Sequence, residues 1–310
     1  MGSCNGFFRA LRKDTGTPVW TYDTRQDGGP SEFHGDPVVT DDLIVIASDH
    51  RTDSGKGFVY AFERNTGKLR WKYPVGHGAM TDLLLRNSIL YVVTLEDELL
   101  GLDVATGHLR WKFPSGASNE DFFTNSSPAL SNGRVIFGGL DGTVYALDGD
   151  SGAVAWKNPL SFRVSTSVAV QGASGYIGTI AGRLYRLDLN TGAVTADVPA
   201  DGRAEGKLTV CGKSLLGFLG NQAVFGLGVE DAKIRWTQLA AKEWTSARPY
   251  CAGDSVLVGD GDALTVFRVS DGQRTGMRRF PGTIRGIGID KDMLYVGTLK
   301  GIVYAYRRDF

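Results

Sequence analysis

The stretch Val144-Tyr-Ala-Leu-Asp-Gly-Asp-Ser-Gly-Ala-Val-Ala-Trp156 contains the local pattern on which the fold of this chain depends. Residues 144–148 alternate and are rich in β-forming side chains, which predicts a strand. Asp148, Ser151 and Gly152 are typical of a hairpin turn, because the polar side chains bond the turn backbone and glycine tolerates a positive φ. A second strand, which carries Trp156, follows the turn.

The same pattern recurs about every forty residues along the chain. Successive turns are spaced by 51, 40, 45, 40, 40 and 40 residues. The turn residues are Gly16, Gly67, Gly107, Gly152, Gly192, Ala232 and Gly272. Five of the six tryptophans follow a turn by four residues, and these are Trp20, Trp71, Trp111, Trp156 and Trp236. Ala196 and Gly276 stand at that position in the other two copies, and an eighth copy begins at Val303.

Two further short strands precede the turn in each copy, so each repeat predicts four antiparallel strands. A sheet with two apolar faces is stable only when neighbouring sheets cover both of them. The predicted fold class is therefore an all-β propeller of four-stranded blades, with residues 1–310 forming one domain. The repeat tryptophans are expected to pack their large rings between adjacent blades.

The number of blades depends on how the ends of the chain are counted. Residues 297–306 align with residues 2–11, so the chain starts in the middle of a repeat. Seven first strands are expected, centred near Pro37, Leu83, Pro128, Val168, Leu208, Pro249 and Ile287. Eight third strands predict eight blades, of which the first and last are incomplete. The alternative is a seven-bladed ring in which the strand of Trp20 completes the last blade. The alignment also suggests a truncated start, with a signal peptide lost upstream.

Composition limits the classes of function. The chain has 34 Lys and Arg against 34 Asp and Glu, which argues against the basic footprint of a nucleic-acid or anionic-membrane partner. No apolar run approaches the length of a membrane span, and the start has no apolar signal-peptide core. The three cysteines are Cys4, Cys211 and Cys251. Cys211 and Cys251 lie one repeat apart, and free buried thiols are favoured over a disulfide between neighbouring blades.

The motif Ala146-x-Asp148-x-x-Ser151-Gly152-x-x-x-Trp156 resembles the PQQ-type propeller repeat. That family includes the quinoprotein alcohol dehydrogenases and the BamB lipoproteins of outer-membrane β-barrel assembly. The resemblance covers essentially the whole chain and implies a bacterial protein in the periplasm or outside the cell. It does not imply a function, because fold and activity are separable.

The quinoprotein dehydrogenases of this family carry an adjacent cysteine pair over the quinone and a Ca²⁺ site with an acidic base. This chain has no adjacent cysteines, and it has about half the length that the resemblance implies for those enzymes. No catalytic residue is therefore carried over and no cofactor is predicted; PQQ enters only through the resemblance.

Functional residues are expected on the face opposite the Thr-Gly turns, because the loops there vary in length. Residues just before the innermost strands place acids on one arc and bases on the other. These charged residues are Asp36, Asp82, Lys207, Arg248 and Arg285, with Ser127 and Ser167 between the two arcs. A bipolar funnel of this kind suits a mixed-charge ligand or peptide. The alternative is that these are strand-end charges solvated at the rim.

Aromatic residues on the same loops are candidates for partner binding. Trp244 is the only tryptophan off the repeat position, and Arg163 and Arg248 are expected near it, as in an interface hot spot. Phe122 and Phe123, close to Asn125, form a second apolar pair on a long loop. The alternative is that these side chains pack under their own loops.

No motif predicts catalysis or a bound metal. The four histidines show no ligand spacing such as HExxH. His34-Gly-Asp36 is compatible with the start of a metal site or an acid/base pair, but a hydrogen-bonding or surface role is favoured for a single loop histidine. Two hypotheses result. The first is a non-enzymatic binding or scaffold protein for a protein, peptide or small polar ligand. The second is a quinoprotein-like oxidoreductase, or a carbohydrate-active or lyase-type propeller, that uses the funnel.

Overall fold

Strands form at every predicted copy of the repeat. The protein is described by a computed structural model, which covers residues 1–2, 6–27, 32–49, 57–114, 126–220, 222–243 and 248–307. The chain divides into two compact units, Met1–Val164 and Ser165–Phe310. Among the described residues, no helix is long and apolar enough to cross a membrane.

The first unit contains a hairpin and three four-stranded antiparallel blades. In the hairpin, β1 (Phe7–Leu11) pairs with β2 (Pro18–Asp23), and a short 3-10 helix, Thr24–Asp27, follows. The blades, each in chain order, are β3–β6 (Val38–Val39, Leu43–Ala47, Phe58–Glu63, Leu69–Pro74), β7–β10 (Leu84–Arg86, Ile89–Val93, Glu98–Asp103, Leu109–Pro114) and β11–β14 (Ala129–Ser131, Arg134–Gly138, Thr143–Asp148, Val154–Pro159).

The second unit contains two four-stranded sheets, one five-stranded sheet and one three-stranded sheet. A short strand, β15 (Thr166–Ser167), adds in parallel to the first strand of the second blade, β20. The sheets are β16–β19 (Ala169–Gln171, Ser174–Gly178, Arg183–Asp188, Val194–Pro199), β20–β23 (Ala204–Cys211, Ser214–Leu219, Ala223–Gly228, Ile234–Leu239), β24–β27 (Tyr250–Ala252, Ser255–Asp260, Ala263–Arg268, Arg274–Arg279) and β28–β30 (Ile284–Ile289, Met293–Thr298, Val303–Arg307).

The protein is therefore an all-β, seven-bladed propeller, as the alternative blade count predicted. Among the described residues, the seven blades are five four-stranded sheets, the sheet β20–β23 with β15 as a fifth strand, and the three-stranded sheet β28–β30. The count of eight is corrected, because the first repeat unit supplies only the two strands of the β1–β2 hairpin. The first strands of the blades begin within a few residues of the predicted centres.

The core lies between successive sheets. On strand β8, Leu90 and Val92 belong to the apolar cluster shared with the preceding blade, whereas Ile89, Tyr91 and Val93 belong to the cluster shared with the following blade. All five side chains are at most 2% exposed. Because side chains alternate along a strand, both faces of this sheet are buried, as the repeat pattern predicted.

The predicted hairpin turn forms between the third and fourth strands. At Asp148 the carboxylate accepts hydrogen bonds from the backbone N–H and the hydroxyl of Ser151, at 2.9 and 2.7 Å. These bonds hold the pKa of Asp148 below its usual value, with the Ser151 hydroxyl as the largest cause. Gly152, with φ of 72°, closes the turn by donating its N–H to the Asp148 carbonyl at 2.8 Å.

Each repeat tryptophan whose contacts are described packs on the turn glycine of the next blade. Built on that glycine, a Cβ would lie 2.4–2.6 Å from the nearest indole carbon; the pairs are Trp20 on Gly67, Trp71 on Gly107, Trp111 on Gly152 and Trp236 on Gly272. The indole Nε1 donates to the carbonyl three residues before the glycine, namely that of Arg64, Val104, Gly149 and Val269 at 2.9, 3.1, 3.2 and 2.9 Å. The predicted position of the tryptophans between blades is thus confirmed for these four.

One blade interface uses a different pair of residues. Ala196 replaces the tryptophan, and it lies opposite Arg186 on the neighbouring strand of the sheet. The guanidinium of Arg186 donates to the carbonyls of Val229 and Glu230 at 3.1 and 2.9 Å, and Val229 is the residue three before the turn. With no indole present, the turn accommodates Ala232, at a φ of 52°. At this interface the guanidinium of Arg186 therefore takes the place of the indole N–H as the donor to the turn carbonyl.

Alanine substitution of a turn glycine is expected to measure the tryptophan contact. We expect Gly107→Ala to lower the free energy of unfolding by about 2–3 kcal/mol, because strain at positive φ adds to a clash with Trp71. Gly16→Ala is the matched control, since its φ of 72° is close to the 74° of Gly107 and a Cβ there would meet no described atom within 4 Å. The control is expected to lose only the free energy that a positive φ costs an alanine, about 1 kcal/mol. Equal losses in urea unfolding would show that the indole contact contributes nothing.

Candidate functional site

Residues that precede the first strands form a chain of hydrogen bonds across three blades of the first unit. The N–H of Asp36 donates to the Asp82 carboxylate at 2.7 Å. The N–H of Asp82 in turn donates to the hydroxyl of Ser127 at 3.0 Å. Asp36 is exposed and Asp82 half-buried. The structure thus brings together the predicted acidic residues, and their first role is to join neighbouring blades.

His34 lies beside Asp49 and Glu32. Its Nδ1 is 2.9 Å from the Asp49 Oδ1, and its Nε2 is 3.7 Å from the Glu32 Oε2. The backbones of Glu32 and Asp49 exchange two N–H···O bonds of 3.0 Å, which fix the register of the two segments. Within the described part of the chain, this is the one group of three His, Cys, Asp or Glu side chains with ligand atoms within 4.8 Å of one another.

The sequence identified His34 but not its two carboxylate neighbours. Glu32 stands two residues before His34, a spacing that a search for Glu-x-His would have noticed. Asp49 follows β4 and reaches His34 only because the two segments pair in antiparallel register. That register could not be read from the sequence.

The predicted basic residues lie in the second unit. Lys207 on β20 is in register with Ser167 on β15. The guanidinium of Arg248 lies 5.2 Å from the ring centre of Tyr250, a distance typical of a cation–π contact. Arg285, on β28, is exposed. Lys207 and Arg285 thus lie within the first strands of their sheets, and Arg248 lies two residues before such a strand.

A cavity of about 500 Å³ opens in the second unit, and the sequence did not predict it. Asp262 lies in its wall and accepts hydrogen bonds of 2.8 Å from both Lys242 and Arg279. The bond from Lys242 is the main reason that the pKa of Asp262 lies below its usual value. Lys300 and Glu243 also line the cavity. Its wall is therefore of mixed charge.

Other predicted residues are not brought together in the described structure. Arg163 is half-buried next to Val164 in the first unit. Phe122, Phe123, Asn125 and Trp244 lie outside the described residues. Their role in partner binding remains a prediction from the sequence.

The expectation of free thiols at Cys211 and Cys251 is wrong. The two cysteines form a disulfide with a Cα–Cα distance of 5.8 Å, which is usual for such a bond. Cys211 ends β20 and Cys251 lies in β24, so the bond joins the first strands of neighbouring blades. Their separation of one repeat places them at equivalent points of the two strands.

Charge is unevenly distributed between the two units. Residues 1–164 contain 16 Lys and Arg against 20 Asp and Glu, whereas residues 165–310 contain 18 against 14. The net charges are therefore −4 and +4, which cancel in the whole chain.

A family model matches this chain over most of its length. The model, described as outer membrane protein assembly factor BamB, matches residues 5–168 and 140–286. A curated protein of the same description from Legionella pneumophila (strain Paris) is 25% identical over 183 residues, which are 57% of this chain and 44% of that protein. Its counterpart from Moranella endobia (strain PCIT) is 24% identical over 170 residues, 52% of this chain and 40% of that protein. These matches span less than half the length of the relatives.

A quinoprotein also shows a short similarity. The quinohemoprotein alcohol dehydrogenase ADH IIB of Pseudomonas putida is 30% identical over 73 residues, which are 24% of this chain and 11% of that enzyme. Similarity of this extent covers fewer than two repeat units.

Solved structures share the fold along the whole chain. The crystal structure of BamB from Moraxella catarrhalis matches with a TM-score of 0.81 at 21% identity, covering 98% of this chain and 92% of that one. A computationally designed protein, Ika8, matches with a TM-score of 0.77 at 15% identity, covering 99% and 92%. At these identities the matches establish the propeller fold.

Proposed function

Because this chain belongs to the family of the outer membrane protein assembly factor BamB, we propose that it is a non-enzymatic protein that binds a protein partner in outer membrane protein assembly. The observation that carries the proposal is the family match over residues 5–286. Relatives in two bacteria bear the same description at 24–25% identity. Such a protein acts by binding its partner through its surface, and the rigid blades of this fold hold the binding loops in place.

The disulfide supports a location outside the cytoplasm. Disulfides form and persist in the bacterial periplasm and are rare in reducing compartments. The Cys211–Cys251 bond joins two first strands, with Cys211 only 4% exposed, so its sulfur is shielded by the fold. A periplasmic protein that works at the outer membrane would keep this bond.

In the first unit, the partner-binding surface that we propose lies at the residues before the first strands, where the Asp36 N–H donates to the Asp82 carboxylate. In the second unit, the corresponding surface is that of Arg248, beside Tyr250. The net charges of −4 and +4 on the two units favour partner segments of mixed charge. The sequence adds the prediction that Phe122, Phe123 and Trp244 serve as aromatic anchors of the type found in protein interfaces.

The residues of this chain do not fit a quinone site of the quinoprotein type. The resemblance calls for an adjacent cysteine pair over the quinone, whereas Cys211 and Cys251 are 40 residues apart and joined across two blades. We therefore assign no step to PQQ and propose that the chain has no oxidoreductase activity.

Complementation tests the proposed function. The chain, exported to the periplasm of a bacterium that lacks its own BamB, is expected to restore the amounts of outer membrane proteins in isolated outer membranes. Trp244→Ala and Phe122→Ala/Phe123→Ala are expected to reduce this restoration severalfold, because loss of aromatic anchors typically costs about 2 kcal/mol or more in binding.

The matched control is Val194→Ala, which removes an exposed apolar side chain beside the turn at Gly192, on the opposite face of the blades. It is expected to restore outer membrane proteins as well as the unchanged chain does. If the exported chain, with its disulfide formed, leaves outer membrane protein levels at those of the deletion strain, the proposed function is wrong.

A further inference from the structure

Asp49 is a buried acid, and only one of its two carboxylate oxygens has a hydrogen-bond partner among the described residues. Its side chain has no solvent exposure, and its Oδ1 is 2.9 Å from the Nδ1 of His34. Its Oδ2 is buried and has no hydrogen-bond partner among the described residues. A buried carboxylate oxygen without a donor is costly, and native structures rarely leave one. A positive charge placed at this carboxylate would remove the cost.

The backbone holds Asp49 in place from two sides. Glu32 pairs with it on one side and Gly78 on the other. A Cβ on Gly78 would lie 2.4 Å from the Asp49 Cα and 2.3 Å from the Ser48 carbonyl oxygen. The acid therefore cannot move away to solvent without breaking the pairing of three segments. The backbone pairing with Glu32 and Gly78 therefore fixes the position of Asp49.

Glu32 and His34 extend this acid into a ligand set. Phe33 between them is buried and packs on Phe8, with ring centres 5.4 Å apart. The buried Phe33 ring holds this segment in place, with Glu32 and His34 beside Asp49. The three side chains offer one imidazole nitrogen and two carboxylate oxygens within 4.8 Å of one another.

We propose that Glu32, His34 and Asp49 bind a divalent transition-metal ion, for which Zn²⁺ is the best match. Imidazole and carboxylate together suit Zn²⁺, which takes three protein ligands and a water in an open site. Two carboxylates balance the charge of a divalent cation. Ligand distances of about 2.1 Å place tetrahedral ligand atoms roughly 3.4 Å apart. An ion bound at the His34 Nδ1 would lie on the side of Asp49, whose Oδ1 is 2.9 Å from that nitrogen. The Glu32 carboxylate, now 3.7 Å from Nε2, would have to turn toward the ion.

A second histidine–acid pair in the same unit shows what an ordinary contact looks like. His77 Nδ1 is 3.0 Å from the Glu96 Oε1, and the two side chains are 51% and 35% exposed. The same Glu96 oxygen also accepts the N–H of His77. Both side chains are thus partly exposed to solvent, and the pair contains a single carboxylate. It lacks the buried oxygen and the third ligand that distinguish the site at His34.

Zn²⁺ titration of the chelator-treated protein tests the proposal. We expect one Zn²⁺ to bind by isothermal titration calorimetry and to raise the melting temperature. His34→Gln and Asp49→Asn are each expected to weaken binding by at least about tenfold, whereas His77→Gln leaves it unchanged. Co²⁺ should give visible absorption bands in the unchanged protein and in His77→Gln only.

Circular dichroism without metal shows that each variant is folded before it is compared. The proposal is overturned if the unchanged protein binds no Zn²⁺, or if folded His34→Gln binds it as tightly as the unchanged protein. Loss of binding in His77→Gln with retention in His34→Gln would also overturn it. None of these outcomes bears on outer membrane protein assembly, so the two proposals can fail separately.

Discussion

Removing the Cys211–Cys251 disulfide is expected to lower the free energy of unfolding by about 3–4 kcal/mol. The bond closes a loop with a sequence separation of 40 residues, and chain-entropy arguments give about this value for such a loop. The double variant Cys211→Ser/Cys251→Ser avoids leaving one reactive thiol in a buried site. Urea unfolding of the oxidised protein and of this variant measures the difference.

Reduction provides the control for the serine substitutions. Dithiothreitol is expected to destabilise the unchanged chain by a similar amount and to leave the double variant unaffected. A count of thiols in denaturant should give one in the oxidised protein, from Cys4, and three after reduction. Three thiols in protein taken from an oxidising compartment would show that the bond does not form.

The sequence predicted the blades well because their determinants are local. Asp148, Ser151 and Gly152 form the expected turn from residues within one hairpin. The position of the tryptophans between sheets was also predicted, since a large apolar ring on a two-faced sheet must be covered. What the ring covers was not predicted. The contact of Trp71 with Gly107 joins consecutive repeats, and its acceptor, the Val104 carbonyl, depends on how the two sheets are offset.

The remaining features depend on distances between repeats. Counting third strands gave eight blades, but the first repeat supplies only a two-stranded sheet. The spacing of Cys211 and Cys251 was noticed, yet the sequence does not state that neighbouring first strands approach to 5.8 Å at that point. In the candidate site, the sequence predicted Asp36 and Asp82 as members of one acidic arc. Their direct hydrogen bond and the approach of Asp49 to His34 required the register of separate segments.

Trp236→Ala is expected to have the largest effect of a single substitution, a loss of about 4 kcal/mol in the free energy of unfolding. The side chain is 8% exposed, packs on Gly272 and donates to the Val269 carbonyl at 2.9 Å. Truncation removes the ring, leaves a cavity and deprives a buried carbonyl of its donor. Arg235→Ala on the same strand is the control, because its exposed ion pair with Asp231 contributes at most about 1 kcal/mol.

Hydrogen exchange of the indole N–H groups tests most directly the claim that tryptophans join each blade to the next. The Nε1–H signals of Trp71, Trp111 and Trp236 can be followed in D₂O by NMR, with single-tryptophan variants for assignment. The interblade hydrogen bonds predict that all three exchange orders of magnitude more slowly than free indole. Exchange of these groups at the rate of free indole would show that the rings face water and would contradict this description of the fold.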